Sequence, residues 1–527
     1  MIARAALFPV FLTILAFFGF VRPALAEFAL TILHTNDVHG RFEETDHEIS
    51  LCSPKERYDG KCYGGSARLY TAIEDVRQNV EHSVLVDAGD QFQGSLLFQR
   101  YQGELTADLM NMMGYNVMTL GNHEFGAGLD TLRRFLDTVR FPVVIANGDF
   151  SNEPILAGQV AASHVQVISG HNVGFIGVIA QDTDVTANLG PSVTFGDPAF
   201  FVGREVAILT ARGVDKIIVL SHLGYSEDKA LAEKVDGIDV IVGGHSHTFL
   251  HNDHIASAGP YPTMVGQTAI VQAFAFGQYL GRLDVVFDSE GQVQSAQGDP
   301  IILDQWVPEN PFIASRVDRA SKPLNEMRRN VVGEAERRID EGPFGCRRSD
   351  CPLGILVAEA MLVGGAPLGA EVAILNSGSI KTVLTAGPIT MADVRTALPF
   401  NNTLSTFKLS GQELKEVLEN GVSEVLNGSG RFPQIAGMRF SYLPFNPLGE
   451  QVANIKIQGE PLDPDRDYTI VTNSYLRRGG DGYRTFLEAR EAYDLGPDIA
   501  DLVAGYLGAN RPYMPFRDDR IELLYEQ

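Results

Sequence analysis

The 527-residue chain contains 42 Lys and Arg against 66 Asp and Glu, which gives a formal net charge of −24. This acidic balance argues against a nucleic-acid partner, which requires a basic face. Hydrophobic residues make up 45% of the chain and charged residues 20%. That composition excludes long disordered spans, and the length predicts two or three domains.

The first 26 residues have the features of a signal peptide. Arg4 supplies the positive start, residues 7–21 form the apolar core, and Ala24-Leu25-Ala26 fits the small-x-small cleavage pattern. The alternative is an uncleaved anchor helix, but the core is short and contains Pro9. We therefore expect cleavage after Ala26, no transmembrane segment in the mature chain, and a periplasmic or secreted location.

The four cysteines fall into two local pairs, Cys52 with Cys62 and Cys346 with Cys351. Local pairing is one of three possible connectivities, and an oxidising compartment favours disulfides. A metal site is the alternative, but neither pair has a second pair of ligands near it in sequence. We expect two local disulfides, each of which stiffens a short loop.

Five apolar segments, predicted to be strands, each end in side chains that bind metals. The segments are residues 28–33, 84–86, 117–120, 217–220 and 240–242, and the side chains are Asp37 and His39, Asp90, Asn122, His222, and His245 and His247. Strand ends gather ligands along one edge of an open α/β sheet. Mixed carboxylate, amide and imidazole ligands suit Zn, Mn, Fe or Co better than Ca or Mg. The ligands are too numerous for one tetrahedral ion, so we infer two ions that share Asp90.

The remaining N-terminal segments also alternate between strands and helices. Strands are predicted for residues 143–146, 165–168, 173–180, 269–273 and 283–287, with His171-Asn172 in the turn of a hairpin. This alternation predicts an α/β sandwich around two sheets. After Pro311, the charged segment 312–331 predicts a helix that links two domains.

A second α/β pattern starts near residue 340. A helix is predicted for residues 353–362 and strands for 371–375 and 468–472. Ser410 and Glu413 form a capping box that opens a helix through residue 419. The last strand leads into Asn473 and a glycine-rich turn at 479–482.

The ordered motifs D-x-H, GDQ, GNHE, SHLG and GGHSH resemble those of the calcineurin-like metallophosphoesterases. More narrowly, the chain resembles the secreted or periplasmic 5′-nucleotidases over nearly its whole mature length. The resemblance implies a four-layer α/β/β/α sandwich at residues 27–305 and a C-terminal α/β nucleotide-specificity domain at 341–527. It places a hinge helix between them at 306–340, where relatives rotate the second domain.

The resemblance also assigns a role to each candidate ligand. Asp37, His39 and Asp90 would hold one ion, and Asp90, Asn122, His222 and His245 the other. His247 stands where the relatives place an amide that can touch the first ion. His123 is the candidate catalytic residue, which would contact the phosphate. The implied reaction is attack of a metal-bound hydroxide on phosphorus, with Zn, Mn or Co as the two divalent ions.

The C-terminal half supplies the residues that the resemblance assigns to the nucleotide. Arg347 and Lys381 would contact phosphate, although Lys381 replaces an Arg of the relatives and so loses bidentate recognition. Asn376 would touch the base, Phe400 and Tyr475 would stack on its two faces, and Asp481 would accept a ribose hydroxyl. Phe432 is a competing aromatic candidate that we rank lower.

Gly126 departs from the family pattern, in which the residues Gly-Asn-His-Glu-Phe are followed by an Asp that holds the catalytic His. Without that carboxylate, we expect His123 to be less well oriented and turnover to be slowed. Asp130 could substitute if residues 126–130 are helical. If the protein is such a slowed hydrolase, we expect Gly126→Asp to raise the turnover number by roughly tenfold or more.

The favoured function is hydrolysis of 5′-nucleoside monophosphates to nucleoside and phosphate. The same motifs allow nucleoside di- or triphosphates, UDP-sugars, NAD or 2′,3′-cyclic nucleotides as substrates. An alternative of another class is a catalytically weakened nucleoside- or metal-binding surface protein. A hydrolase of sulfur compounds is disfavoured by the aromatic pair and Asp481.

Overall fold

The computed structural model describes residues 28–524, apart from residues 48, 182, 184–186, 188, 190–191, 340–344 and 495. The predicted signal peptide, residues 1–26, lies outside the described residues. Within the described part of the chain, no helix is both long and apolar enough to cross a membrane.

The N-terminal domain consists of two central sheets flanked by helices. Its strands are β1 (Phe28–Thr35), β2 (Ser83–Asp87), β3 (Val117–Thr119), β4 (Val143–Val144), β5 (Gly148–Asp149), β6 (Ser163–Ile168), β7 (His171–Ile179), β8 (Thr194–Phe195), β9 (Ile217–His222), β10 (Val240–Gly243), β11 (Thr263–Val265), β12 (Thr268–Val271), β13 (Tyr279–Phe287), β14 (Val293–Gly298) and β15 (Ile301–Ile302). Its helices are α1 (Pro54–Tyr58), α2 (Ser66–Asn79), α3 (Leu96–Tyr101), α4 (Glu104–Met113), α5 (Asn122–Gly126), α6 (Leu129–Thr138), α7 (Pro198–Ala211) and α8 (Tyr225–Lys234).

The two sheets pack face to face and carry helices on their outer sides. One has the order β14-β13-β1-β2-β3-β4, with β15 paired to β13, and the other β11-β12-β10-β9-β7-β6. Because side chains alternate between the faces of a strand, Ile32 and Leu220 meet in the core between the sheets. Their neighbours Leu33 and Val219 face outward toward α2 and α7, respectively. This arrangement confirms the predicted four-layer α/β/β/α sandwich.

The β6–β7 hairpin corrects one detail of the sequence analysis. His171 and Asn172 are not in the turn, because they pair with Ile168 and Val167 in the ladder. The turn is Ser169-Gly170, with φ angles of 50° and 86°. Positive φ at both central positions matches the twist of the flanking strands, and Gly170 adopts it without steric cost.

The segment between the domains contains two helices rather than the single predicted one. Helix α9 (Pro311–Ser321) is followed by the 3₁₀ turn Lys322–Leu324 and by α10 (Asn325–Arg329). Pro323 cannot donate within a helix, which explains the interruption. Ile313 and Val317 of α9 pack into the N-terminal core. The predicted hinge at 306–340 therefore begins with a helix anchored on the first domain.

The C-terminal domain is a second α/β unit. Its elements are β16 (Val331–Ala335), α11 (Pro352–Gly365), β17 (Val372–Asn376), β18 (Gly387–Thr390), α12 (Met391–Ala397), β19 (Leu404–Ser410), α13 (Gly411–Val422), β20 (Pro433–Ala436), β21 (Met438–Tyr442), β22 (Val452–Ile457), β23 (Glu460–Pro461), β24 (Asp467–Asn473), α14 (Ser474–Arg477), β25 (Arg490–Tyr493), α15 (Ile499–Ala509) and β26 (Ile521–Leu523). The central sheet has the order β20-β17-β24-β19-β25, and a smaller one has the order β23-β22-β21-β26. Strands β17 and β24 are parallel, so Asn376 and Asn473 end at the same edge.

Two local predictions for side chains are confirmed. Cys52–Cys62 and Cys346–Cys351 form disulfides with Cα separations of 5.9 Å and 5.1 Å. The capping box at the start of α13 is present, with the Ser410 side chain accepting from Glu413 N and Glu413 accepting from Ser410 N.

Candidate metal centre and adjoining cationic cluster

The candidate metal ligands of the N-terminal domain gather at one edge of its two sheets. Several lie just beyond strand ends in the left-handed region of the backbone, which non-glycine residues seldom adopt: Asp37 (φ 51°), His39 (52°), Asp90 (58°), His245 (71°) and His247 (52°). Such strained residues cluster at functional sites.

One group of ligand atoms comes from Asp37, His39 and His247, which lie within 4.8 Å of one another. His39 Nε2 is 3.2 Å from His247 Nε2, and His247 Nε2 is 3.4 Å from Asp37 Oδ1. The structure therefore places His247 with the ligands of the first predicted ion. His39 Nδ1 faces Phe92 O at 3.2 Å, which leaves Nε2 for a metal.

A second group comes from Asp90, His222 and His245. His222 Nε2 is 3.2 Å from Asp90 Oδ2, and His245 Nδ1 is 3.1 Å from Asn122 Oδ1. Asp90 Oδ2 also lies 3.9 Å from His39 Nε2. The Asp90 carboxylate thus stands between the two groups, as expected for a shared ligand.

The donor set at His222 fits a cation. His222 Nδ1 donates to Ala88 O at 2.7 Å, so the buried Nε2 is the nitrogen that faces Asp90. Burial lowers the pKa of His222, but the Asp90 carboxylate more than offsets this and raises the pKa to about 10. In the metal-free protein a positive charge is therefore favoured beside Asp90. Imidazole, carboxylate and amide donors together match a divalent transition metal.

Glu124 organises the loops of this centre, and the sequence analysis did not single it out. Its buried carboxylate accepts from Asp90 N at 3.0 Å, Phe92 N at 2.9 Å and Gly121 N at 2.6 Å. It thereby ties the loop after β2 to the start of α5. The available signal was a Glu three residues after the N-cap Gly121, a spacing at which a carboxylate accepts from the N-cap N–H.

His123 has a partner that the sequence analysis did not identify. Its Nδ1 lies 2.7 Å from Gln93 Oε1, and its backbone N donates to Asp90 Oδ1 at 2.9 Å. Burial lowers the pKa of His123 to about 3, although Asp90 opposes the shift.

The predicted condition for Asp130 to substitute for the missing carboxylate is wrong. Helix α5 ends at Gly126 and α6 begins at Leu129. Gly128 lies between them with a φ of 91°, so residues 126–130 do not form one continuous helix. Asp130 itself is exposed to solvent.

Two of the predicted nucleotide-binding residues lie against the metal centre. The Phe400 ring stacks on His123, with a centroid separation of 5.9 Å and an interplanar angle of 14°. Lys381 Nζ lies 5.1 Å from the centroid of the same ring. Burial lowers the pKa of Lys381 to about 8, and neighbouring Arg347 adds to the effect. The C-terminal domain therefore reaches the edge that carries the ligands.

The other predicted nucleotide-binding residues form a hydrogen-bonded group. Asp481 accepts from Asn376 Nδ2 and from the Tyr475 hydroxyl, both at 2.7 Å. Arg347 Nη1 donates to Gly428 O at 3.2 Å. Phe432, the lower-ranked aromatic, is fully buried in the core and cannot stack on a ligand.

Arg41 is a further cation, close to Lys381, that was not predicted from the sequence. Its side chain is 3% exposed, and its Nε and Nη2 have no hydrogen-bond partner among the described residues. Burial lowers its pKa to about 10 despite the opposing charges of Asp46 and Glu43. Lys381 interacts electrostatically with both Arg41 and Arg347, so the acidic chain carries a local cluster of cations.

Comparisons with known proteins agree with the two-part organisation. The calcineurin-like phosphoesterase family matches residues 30–249, and the 5′-nucleotidase C-terminal domain family matches residues 331–488. The match to the calcineurin-like phosphoesterases implies divalent metal ions at the Asp and His clusters.

Full-length relatives carry the comparison across both domains. The chain is 34% identical to a 5′-nucleotidase of Bos taurus, over 97% of this chain and 94% of that protein. It is 33% identical to a 5′-nucleotidase of Homo sapiens, over 99% of this chain and 95% of that protein. The crystal structure of a 5′-nucleotidase precursor from Thermus thermophilus is 36% identical, has a TM-score of 0.89 and covers 95% of this chain and 100% of that one. The chain belongs to the 5′-nucleotidase family of calcineurin-like phosphoesterases.

Proposed function

We propose that this protein hydrolyses 5′-nucleoside monophosphates to nucleoside and phosphate with the help of two divalent transition-metal ions. One observation carries the proposal most strongly. Phe400 of the C-terminal domain stacks on His123 of the candidate metal centre, and Lys381 lies against the same Phe400 ring. A phosphate at the ligand cluster and a nucleoside on the second domain would therefore belong to one substrate.

The two groups of ligands define the proposed metal sites. Asp37, His39 and His247 would hold one ion, and Asn122, His222 and His245 the other, with Asp90 shared between them. Zn, Mn and Co accept such mixed nitrogen and oxygen ligands. When bound, the two ions supply Lewis acidity toward water and toward phosphate oxygens.

The protein's own side chains would orient the phosphate and stabilise its charge. His123 faces the centre with Nε2, which lies 3.9 Å from Asp90 Oδ2. Lys381, Arg41 and Arg347 would attract the anionic substrate into a protein of opposite overall charge. Because these cations are largely buried, their field acts in a medium that screens it weakly.

The hydrogen-bonded group around Asp481 would recognise the nucleoside. Asp481 retains acceptor capacity on both oxygens after its bonds to Asn376 and Tyr475, so it can accept a ribose hydroxyl. Phe400 and Tyr475 would supply the faces on which the base stacks.

The resemblance to the family implies that the second domain rotates relative to the first. We propose that the segment 306–340, between the domains at 27–305 and 341–527, provides the hinge for that rotation.

We also propose that the protein is exported to the periplasm or the exterior after removal of residues 1–26. Two disulfides within the described chain support this location, because disulfides persist in oxidising compartments.

The activity itself is tested by release of inorganic phosphate from AMP. The protein stripped of metal by a chelator should be inactive, and added Zn, Mn or Co should restore turnover. Absence of phosphate release from AMP and from other nucleoside monophosphates with all three metals would overturn the proposed function.

Asp90→Asn tests the shared ligand. Because this carboxylate serves both groups, the variant should lose most of both ions, whereas the parent should bind about two. Metal content is measured by inductively coupled plasma mass spectrometry after dialysis. Asp130→Asn is the matched control, since Asp130 is exposed and lies outside the ligand groups. Full metal content in Asp90→Asn would contradict the dinuclear arrangement.

Tyr475 provides a test of nucleoside recognition. Tyr475→Ala should raise the KM for AMP, because loss of base stacking costs about 1–3 kcal/mol. Hydrolysis of p-nitrophenyl phosphate should change little, since that substrate has no nucleoside. Tyr475→Phe keeps the ring and removes the hydroxyl that bonds to the carboxylate and the backbone N–H of Asp481, so it separates stacking from the polar contacts. Equal losses on both substrates would indicate a folding defect instead.

A further inference from the structure

The Gln93 side chain lies within hydrogen-bond distance of the candidate catalytic histidine, His123. It lies in the loop after β2, three residues beyond Asp90, and its backbone has a φ of 63°. Its Oε1 lies 2.7 Å from His123 Nδ1. An amide oxygen can only accept, so His123 Nδ1 must carry the proton of this bond.

This hydrogen bond fixes which edge of the His123 ring carries the protonated nitrogen, which packing alone does not determine. Phe400 stacks on one face of the ring at 5.9 Å, and the His39 ring approaches edge-on at 4.9 Å. Both contacts limit the position of the ring, but neither distinguishes its nitrogens from its carbons. The bond to Gln93 does, and it turns Nε2 toward Asp90 Oδ2, 3.9 Å away.

Gly126 lies on the other side of the Gln93 amide. A Cβ added at Gly126 would be 3.4 Å from Gln93 Nε2 and 3.9 Å from Gln93 Oε1. Those distances are ordinary contacts, and Gly126 is not among the residues with positive φ. A carboxylate introduced there would therefore fit and reach the space that Gln93 uses.

We propose that Gln93 is the positioning residue of His123, which it holds in the tautomer with a proton on Nδ1 and Nε2 directed at the reaction centre. The amide thus performs the orienting role that a carboxylate on α5 would otherwise fill. The inference rests on the proposed hydrolase function for its kinetic consequence, but the tautomer itself does not depend on it.

The kinetic test removes the acceptor without changing the size of the side chain. Gln93→Met should lower kcat for AMP by about tenfold, which is less than the roughly 10²–10⁴-fold contribution of an acid–base group because the imidazole itself remains. The KM and the metal content should stay near those of the parent, because no ligand or nucleoside contact is removed. Gln292→Met makes the same replacement at an exposed position in the turn before β14 and should change neither constant.

Adding Gly126→Asp distinguishes positioning from general damage. In the Gln93→Met background it should recover most of the lost kcat, because the new carboxylate can accept from Nδ1. In the parent it should raise kcat far less, because Gln93 already holds the ring, so the two changes should be strongly non-additive. Parent-like kcat in Gln93→Met, or equal effects of Gly126→Asp in both backgrounds, would overturn the proposal.

A spectroscopic test stands independently of activity. In the zinc-loaded protein labelled with ¹⁵N-histidine, His123 signals are assigned by their loss in His123→Asn. The parent should show Nδ1 as a protonated nitrogen, and Gln93→Met should show a mixture of tautomers. Failure of AMP hydrolysis in the parent would reject the proposed function alone. Identical tautomer signals in the parent and Gln93→Met would reject the role of Gln93.

Discussion

The site is organised around one buried carboxylate, Asp90, that must face ligands from several loops at once. Three histidine nitrogens, of His39, His123 and His222, lie within 3.9 Å of its Oδ2. Its backbone is held in the left-handed region while Glu124 accepts from its N–H. Without a metal ion, burial would penalise the charge, and the imidazolium of His222 compensates for that penalty.

The glycines of the motifs allow the loops to come this close. A Cβ at Gly121 would collide with Asp90 Oδ1, and one at Gly244 would lie 2.8 Å from Ala88 O. Any side chain at these positions would push apart the loops after β2, β3 and β10. The glycines therefore act through close packing, and the ligand geometry depends on them as much as on the ligands.

The sequence predicted the parts of the site that are encoded locally. Ligands such as Asp37 and His222 follow apolar strands, so strand periodicity alone indicates their common edge. Asn376 and Asp481 lie far apart in sequence, and only the resemblance to known nucleotidases suggested that they cooperate. Their 2.7 Å hydrogen bond depends on the parallel pairing of β17 and β24.

Other features could not be predicted because they depend on tertiary contacts between residues that no motif connects. Gln93 is 30 residues from His123. The family pattern instead predicted the partner of His123 at position 126 or nearby at Asp130. Arg41 is an ordinary loop arginine until the fold buries it near Lys381. Pro323 was visible in sequence, but the charged periodicity around it indicated one continuous helix.

Anomalous diffraction from crystals of the metal-loaded protein, measured at the absorption edge of the metal, would test the central claim most directly. The account predicts two peaks on either side of the Asp90 carboxylate, one contacted by Asp37, His39 and His247 and the other by Asn122, His222 and His245. A single peak, or two peaks that do not share Asp90, would contradict it.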